Sequence, residues 1–223
     1  VDRLFVLDGC QDGPVKTILR EAKKQDTMVQ YVKKERLDQL SETKNHQGVI
    51  AYCAACEYAE VSDILENAKK KGEAPFIVLL DGIEDPHNLG AIIRTANQAG
   101  AHGVIIPKRR AVGLTATVAR TSAGAVNYTP VAKVTNLVTV MEDLKKEGMW
   151  FVCADMDGEE MYSLNLKGPI GLVIGNEGEG VSRLVKEHCD MVASIPMKGD
   201  IDSLNASVAM GVLAYEIVRQ RRF

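Results

Sequence analysis

No apolar run in the chain reaches the roughly 18 residues that a bilayer-crossing helix needs, and no positively charged segment followed by a signal core opens it. A soluble cytoplasmic protein is expected. A surplus of positive charge is missing too, since the formal net charge is −3 at pH 7. That excludes indiscriminate coating of nucleic acid, which is carried by excess Lys and Arg, while leaving room for a local basic patch. A cysteine framework is absent: Cys10, Cys53, Cys56, Cys153 and Cys189 make an odd count scattered through apolar or mixed surroundings, and they are read as reduced thiols. Cys53 and Cys56 have zinc-like spacing, but a structural zinc site takes four ligands and no second Cys or His pair is spaced to complete one, so no metal is expected. His188 and Cys189 are the residue types of a nucleophile pair, yet sequence neighbours on a helix point apart, which argues against acyl transfer. There is no internal repeat or low-complexity tract. No Gly-x-Gly-x-x-Gly follows an apolar run, which disfavours a nicotinamide oxidoreductase.

What is present is ordinary globular material. The 223 residues are 46% hydrophobic and 26% charged, enough for one large domain or two small ones. The chain opens at Val1 and enters the apolar run Leu4 to Leu7 almost at once, so that an N-terminal piece is expected to be missing. Residues 1–71 alternate short apolar runs with helix-period stretches: Arg3 to Leu7, Val15 to Lys24, Met28 to Val32, Lys34 to Leu40, Gly48 to Cys53 and Val61 to Lys71. This is the pattern of a small α/β sandwich. Lys69, Lys70 and Lys71 followed by Gly72, Glu73, Ala74 and Pro75 suit a linker, so the domain boundary is placed at 72–75.

From Phe76 onward the apolar runs are longer and bounded by Gly, Asp and Pro: Phe76 to Leu80, Gly103 to Ile106, Trp150 to Ala154 and Ile170 to Ile174. Runs apolar on both faces are expected of strands covered by helices on both sides, so residues 76–223 read as an α/β domain with a parallel sheet. The segment Leu204 to Arg222 carries Leu204, Val208, Val212, Leu213 and Ile217 at helical spacing, with Ser203 as its expected N-cap and Arg219, Arg221 and Arg222 at the end that favours cations.

Three polar segments follow strands in this part. In the first, Asp81 to Gly90, Asn88 is placed to cap the helix that continues through Ala91 to Ala99, and Arg94 lies about a turn and a half further on, where it can hold a phosphate. The bland alternative is a cap, a packing glycine at Gly90 and a surface arginine. In the second, Gly175-Asn176-Glu177-Gly178-Glu179-Gly180, the glycines let the backbone approach a ligand, and two carboxylates suit a cationic or neutral cofactor better than a pyrophosphate. The alternative is a tight turn before a helix. In the third, Ile195-Pro196-Met197 and then Ser203-Leu204-Asn205-Ala206-Ser207, backbone groups could grip an adenine edge, or the segment could be a cap and packing. Lys108, Arg109 and Arg110 form a short basic run just after a strand, either a solvated face or a phosphate contact.

Taken in this order, the three segments resemble the three motifs of the SpoU family of RNA 2′-O-methyltransferases, also called the TrmH family, over about Phe76 to Arg222. Asn88, Gly90 and Arg94 carry the first; Gly175, Glu177 and Gly180 the second; Pro196, Met197, Ser203, Leu204 and Asn205 the third. Asp85 to Gly90, Val104 to Lys108 and Glu187 to Asp190 look like the RlmB branch, which methylates a guanosine ribose in bacterial 23S ribosomal RNA. The N-terminal part then resembles that branch's ribosomal-protein-like RNA-binding domain. Asn176 and Ala206 depart from the pattern, standing where small or β-branched residues are common.

The resemblance implies a parallel-sheet domain with a deep trefoil knot near the C-terminus, a homodimer with its active site near the subunit interface, S-adenosylmethionine as cofactor, no metal, and RNA as substrate. It implies that Gly175, Ile195, Met197 and Leu204, with Thr121, Ser122 and Gly124, hold the cofactor, and that Asn88, Arg94, Glu177, Ser203 and Asn205 surround the reacting hydroxyl. Lys108, Arg109 and Arg110 are the expected RNA contacts. A guanidinium seldom gives up its proton, so Arg94 is expected to steer phosphate and stabilise developing negative charge rather than act as a base. Transfer RNA as the target and a noncatalytic RNA-binding module are the rival readings.

Overall fold

The computed structural model describes residues 1–10, 13–41, 45–52, 56–201 and 203–222. Two compact units divide the chain, Val1–Ala55 and Cys56–Phe223. No helix among the described residues is long and apolar enough to cross a membrane.

The first unit runs β1 (Arg3–Leu7), α1 (Gly13–Lys24), β2 (Met28–Val32), α2 (Lys34–Leu40) and β3 (Val49–Tyr52). β1 is central, with β2 parallel to it and β3 antiparallel. A parallel pair needs a crossover, and α1 supplies it. Period-two alternation sends Leu4 and Val6 against Val15 and Ala22 of α1. Phe5, on the opposite face, meets Tyr52 edge to face at 5.4 Å between ring centres. The expected sandwich is observed, with β1, β2 and α2 at the anticipated bounds. Cys53 lies outside the described residues, and with it the Cys53–Cys56 spacing.

The second unit runs α3 (Val61–Lys71), β4 (Phe76–Asp81), α4 (Pro86–Gln98), β5 (Gly103–Pro107), α5 (Ala116–Thr121), β6 (Val131–Val134), α6 (Leu137–Lys146), β7 (Trp150–Glu160), β8 (Ile170–Gly175), α7 (Arg183–Glu187), β9 (Met191–Ser194) and α8 (Ala206–Arg222). The six strands lie in the order β6-β5-β4-β8-β7-β9, with every pairing parallel. β4 and β8 occupy the middle, which is why the first five residues of β4 and all six of β8 are buried. From β4 the chain steps outward through β5 to β6, then returns to build the other half. The order therefore reverses between β4 and β8, the place where open α/β sheets hold ligands.

Helix α3 corrects the boundary placed at 72–75. Its Ile64 and Ala68 are fully buried, and Ile64 packs with Ile77, Leu79 and Ile105 of the large sheet. The division falls at Ala55 and Cys56 instead. The lysines in the last turn of α3 and the glycine after it mark the end of a helix, not of a domain: Gly72 caps it.

Helix α8 also differs from expectation. Its buried face is Ala206, Met210, Leu213, Ala214 and Ile217, while Val208 is 50% exposed. Two polar residues share the buried face and satisfy each other: Gln220 donates to Glu216 at 2.7 Å and to the Leu164 carbonyl, and accepts from the Leu166 N–H. At the helix end Arg221 donates to the carbonyls of Ala74, Pro75 and Gly168 and lies over the Phe76 ring.

Beside this contact His102 is wholly buried. Its Nδ1 accepts from the Phe76 N–H at 3.0 Å and its Nε2 faces Glu73 at 3.0 Å. Burial lowers its pKa from 6.5, outweighing the hydrogen bond to Glu73. The unfolded chain therefore takes up the proton first, so stability is complete above about pH 6.5 and is lost as pH falls below it. The melting temperature should drop between pH 7 and pH 5, and His102→Asn, which keeps an acceptor near Nδ1, should remove this part of the drop. An identical pH profile in the variant would show that His102 is not its source.

Candidate active site

The loops after β4, β8 and β9 meet at the carboxyl edge of the sheet. Pro86 stands at the first position of α4 and Asp85 is its N-cap, accepting from the His87 N–H at 2.9 Å. The expectation that Asn88 caps this helix is corrected. The cap sits three residues earlier, which places Asn88 inside the first turn with its side chain available for another partner. That partner is Glu177: Asn88 Nδ2 donates to Glu177 Oε1 at 2.9 Å.

The N-cap of α8 is likewise not Ser203. Asn205 Oδ1 accepts from the N–H groups of Ser207 and Val208, at 3.0 and 3.3 Å, and from the Ser207 hydroxyl. With its oxygen committed to donors, the amide nitrogen of Asn205 faces the other way. It donates to Asn88 Oδ1 at 3.0 Å and to Glu177 Oε1. Three polar side chains from three loops thus share one hydrogen-bonded cluster.

Glu177 is held by the loop it belongs to. Asn176 and Gly180 exchange backbone hydrogen bonds of 3.0 and 2.8 Å. Gly175 permits this closure, because a Cβ there would stand 2.0 Å from the Gly180 carbonyl carbon. Two bonds tie the β8 loop to the β4 loop: Asn176 Nδ2 donates to the Gly82 carbonyl at 2.8 Å, and the Ser182 N–H to Asp81 at 2.8 Å.

A cavity of about 890 Å³ opens beside the cluster. Gly175, Glu177, Ile195, Met197, Ser203 and Leu204 line it, together with Asp155, Glu160 and Glu179. Among the described residues no Lys or Arg is on its wall. Burial alone would raise the Asp155 pKa, but the Lys186 ammonium at 2.7 Å and the N–H of Asp157 at 3.0 Å hold it below the usual carboxylate value. The wall therefore presents negative charge, complementary to a cationic guest.

Other expected residues stand elsewhere. Thr121, Ser122 and Gly124 do not line the cavity. The Thr121 hydroxyl lies 2.9 Å from the Thr117 carbonyl and 3.3 Å from that of Pro86, and Ser122 is wholly buried with its hydroxyl donating to Ala119. Thr121 and Ser122 stand where α5 packs against α4 and Gly90 leaves the room, since a Cβ on it would come within 1.9 Å of Thr121 Oγ1. Arg94 is exposed and off the cavity wall, about 120° around α4 from Asn88 and on the side of Gly90. Arg109 and Arg110 are exposed just beyond β5, whose loop is joined to that of β4 by the Val112 N–H donating to the Ile83 carbonyl at 2.9 Å. His188 Nδ1 and Cys189 Sγ turn back to the carbonyls of Leu184 and Val185. Ser207, Asp81 and Asn176 are cluster supports that sequence reasoning did not single out as functional. Only the capping preference of an Asx residue followed two positions later by Ser could have flagged the first.

A parallel sheet with a cavity over the carboxyl ends of β7, β8 and β9, and a carboxylate–amide cluster between it and the loop after β4, defines an α/β enzyme unit built for a small cofactor and a polar substrate group. Residues 75–215 match the SpoU rRNA methylase family, and residues 1–59 match the substrate-binding domain of RNA 2′-O ribose methyltransferases. A Bacillus subtilis protein assigned to the TrmH family of tRNA/rRNA methyltransferases, YacO, is 50% identical over 98% of this chain and 88% of its own length. A Staphylococcus saprophyticus protein assigned to the same family is 44% identical over 100% of this chain and 90% of its own. Among solved structures, the SpoU methyltransferase AviRb of Streptomyces viridochromogenes in complex with AdoMet superposes with a TM-score of 0.65, at 26% identity, covering 99% of this chain and 83% of that one. A TrmH/SpoU tRNA-modifying enzyme of A. aeolicus gives 0.61 at 28% identity, over 71% of this chain and 84% of that one. The chain belongs to the SpoU methylase family.

Gly175→Ala should force the β8 loop away from Gly180 and cost roughly 1–3 kcal/mol of stability, as overpacking does. Urea denaturation reads this directly, and a wild-type midpoint would show that the loop closure is not under the constraint described.

Proposed function

We propose that this protein transfers a methyl group from S-adenosylmethionine to the ribose 2′-hydroxyl of an RNA nucleotide, with a guanosine of 23S ribosomal RNA as the target. The observation that carries the reading is the Asn88–Glu177–Asn205 cluster at the edge of a carboxylate-walled cavity. The cavity suits the cofactor: its volume is that of a typical small-molecule site, its wall pairs apolar Ile195, Met197 and Leu204 with glycine backbone, and its charge complements a sulfonium. When bound, the cofactor supplies a methyl carbon activated by positively charged sulfur.

The chain's own residues have two tasks, to orient the attacking oxygen and to ease loss of its proton. Glu177 Oε1 is occupied by the two amides, which leaves Oε2 to accept from the ribose hydroxyl. Ser203, exposed on the cavity wall, is a second polar contact for the sugar. Arg94 takes the adjoining phosphate with its planar fork and opposes the growing negative charge on oxygen. Arg109 and Arg110, with Lys108, extend phosphate contact along the same sheet edge, and the first unit presents the RNA. Thr121 and Ser122 act by packing α5 on α4. The enzyme works as a homodimer with a knotted C-terminal segment, its sites close to the subunit interface.

Incubation with labelled cofactor and a mixture of unmodified ribosomal RNA and transfer RNA, followed by mapping of alkali-resistant linkages, should give one resistant position, a guanosine in 23S RNA. Label confined to transfer RNA would overturn the target, a reading that the tRNA/rRNA naming of its relatives keeps open. In the same assay Arg94→Ala should abolish methylation, with calorimetric affinity for S-adenosylmethionine within about twofold of wild type. Unchanged turnover would remove Arg94 from the mechanism.

A further inference from the structure

We propose that Asn176 is a positioning residue for methyl transfer, whose side chain clasps the loop after β4 to the loop after β8 and so sets the geometry between Asn88 and Glu177. This rests on the reading that the Asn88–Glu177–Asn205 cluster receives the substrate hydroxyl. Asn176 immediately precedes Glu177 and is fixed at both ends of its amide: Oδ1 accepts from the Gly178 N–H at 2.8 Å, and Nδ2 donates to the Gly82 carbonyl at 2.8 Å. The first bond decides the orientation of the second, because only the oxygen can accept. Backbone bonds from the same residue to Gly180, 3.0 and 2.8 Å, close the loop that carries Glu177.

Gly82 lies in the segment leading to Asp85, the cap that sets where α4 begins and hence where Asn88 stands. The clasp therefore joins a loop lining the cofactor cavity to the residue that meets Glu177 from the substrate side. Asn176 stands on the cavity wall with its amide oxygen and one N–H engaged in these two bonds. A second link, the Ser182 N–H donating to Asp81 at 2.8 Å, holds the same two loops further along and does not involve Asn176. Removing the clasp should accordingly leave the sheet and cavity standing while loosening the approach of Asn88 to Glu177.

Asn176→Ala should lower kcat roughly 10- to 100-fold, the scale of a misplacement of about an ångström in a preorganised site, with the RNA KM and the calorimetric Kd for S-adenosylmethionine within about twofold of wild type. Asn176→Asp, which keeps the acceptor for Gly178 but turns an oxygen toward the Gly82 carbonyl, should fail to rescue kcat. Independently of turnover, amide hydrogen exchange over residues 82–88 should accelerate about tenfold in Asn176→Ala, while the global unfolding midpoint moves little. Unchanged kcat, parallel loss of kcat and cofactor affinity, or unchanged exchange over 82–88 would each overturn the proposal. Asn88→Ala separates this from failure of the underlying reading: full turnover there removes the cluster from catalysis, whereas an inactive Asn88→Ala beside a fully active Asn176→Ala removes only the clasp.

Discussion

One carboxylate oxygen, Glu177 Oε1, receives the side-chain amides of both Asn88 and Asn205, and so joins segments that follow three different strands. Everything needed to bring those groups together is a property of the sheet and its helix caps. The strand order reverses between β4 and β8, so the loops leaving their carboxyl ends diverge around a common space. Asp85 rather than Asn88 caps α4, and Asn205 caps α8 with its oxygen, which leaves one amide free on each helix to face the carboxylate. Helix termini thereby do double service, satisfying backbone donors and aiming polar side chains at one point.

The charge of the site follows the same logic. The chain is acidic overall, and the cavity wall bears Asp155, Glu160, Glu177 and Glu179, with no Lys or Arg among its described residues. Exposed positive side chains stand off the cavity wall, on α4 as Arg94 and beyond β5 as Arg109 and Arg110. The negative field of the wall complements a cationic cofactor. Lys186 pairs with Asp155 at 2.7 Å and offsets that one carboxylate.

Much of this architecture could be read from sequence. Fully apolar runs at Phe76, Gly103, Trp150 and Ile170 became the four central and near-central strands of a parallel sheet, because burial on both faces leaves no alternation to hide. The three polar segments after strands did converge. Short, mixed strands were less visible: β6 and β9 have four residues each and half-buried ends. The domain boundary failed because a lysine-rich helix end looks like a linker, and only the packing of Ile64 under the large sheet shows where α3 belongs. Cap positions failed for a related reason. Asp85, Asn88, Ser203 and Asn205 are all good capping residues by type, and choosing among them depends on where each helix starts within a turn, which Pro86 and tertiary contact decide. The contacts that Thr121 and Ser122 make, to the Pro86 carbonyl and within α5, depend on how α5 meets α4 and carry no signature in the sequence.

The central claim is that the two amides act through one carboxylate as a unit. A double-mutant cycle on the single-turnover rate of methyl transfer, using Asn88→Ala, Asn205→Ala and both together, measures this most directly. Acting as a unit, the pair should be strongly non-additive, with the double variant hardly slower than the worse single one. Losses that multiply, each amide contributing independently of the other, would contradict the account.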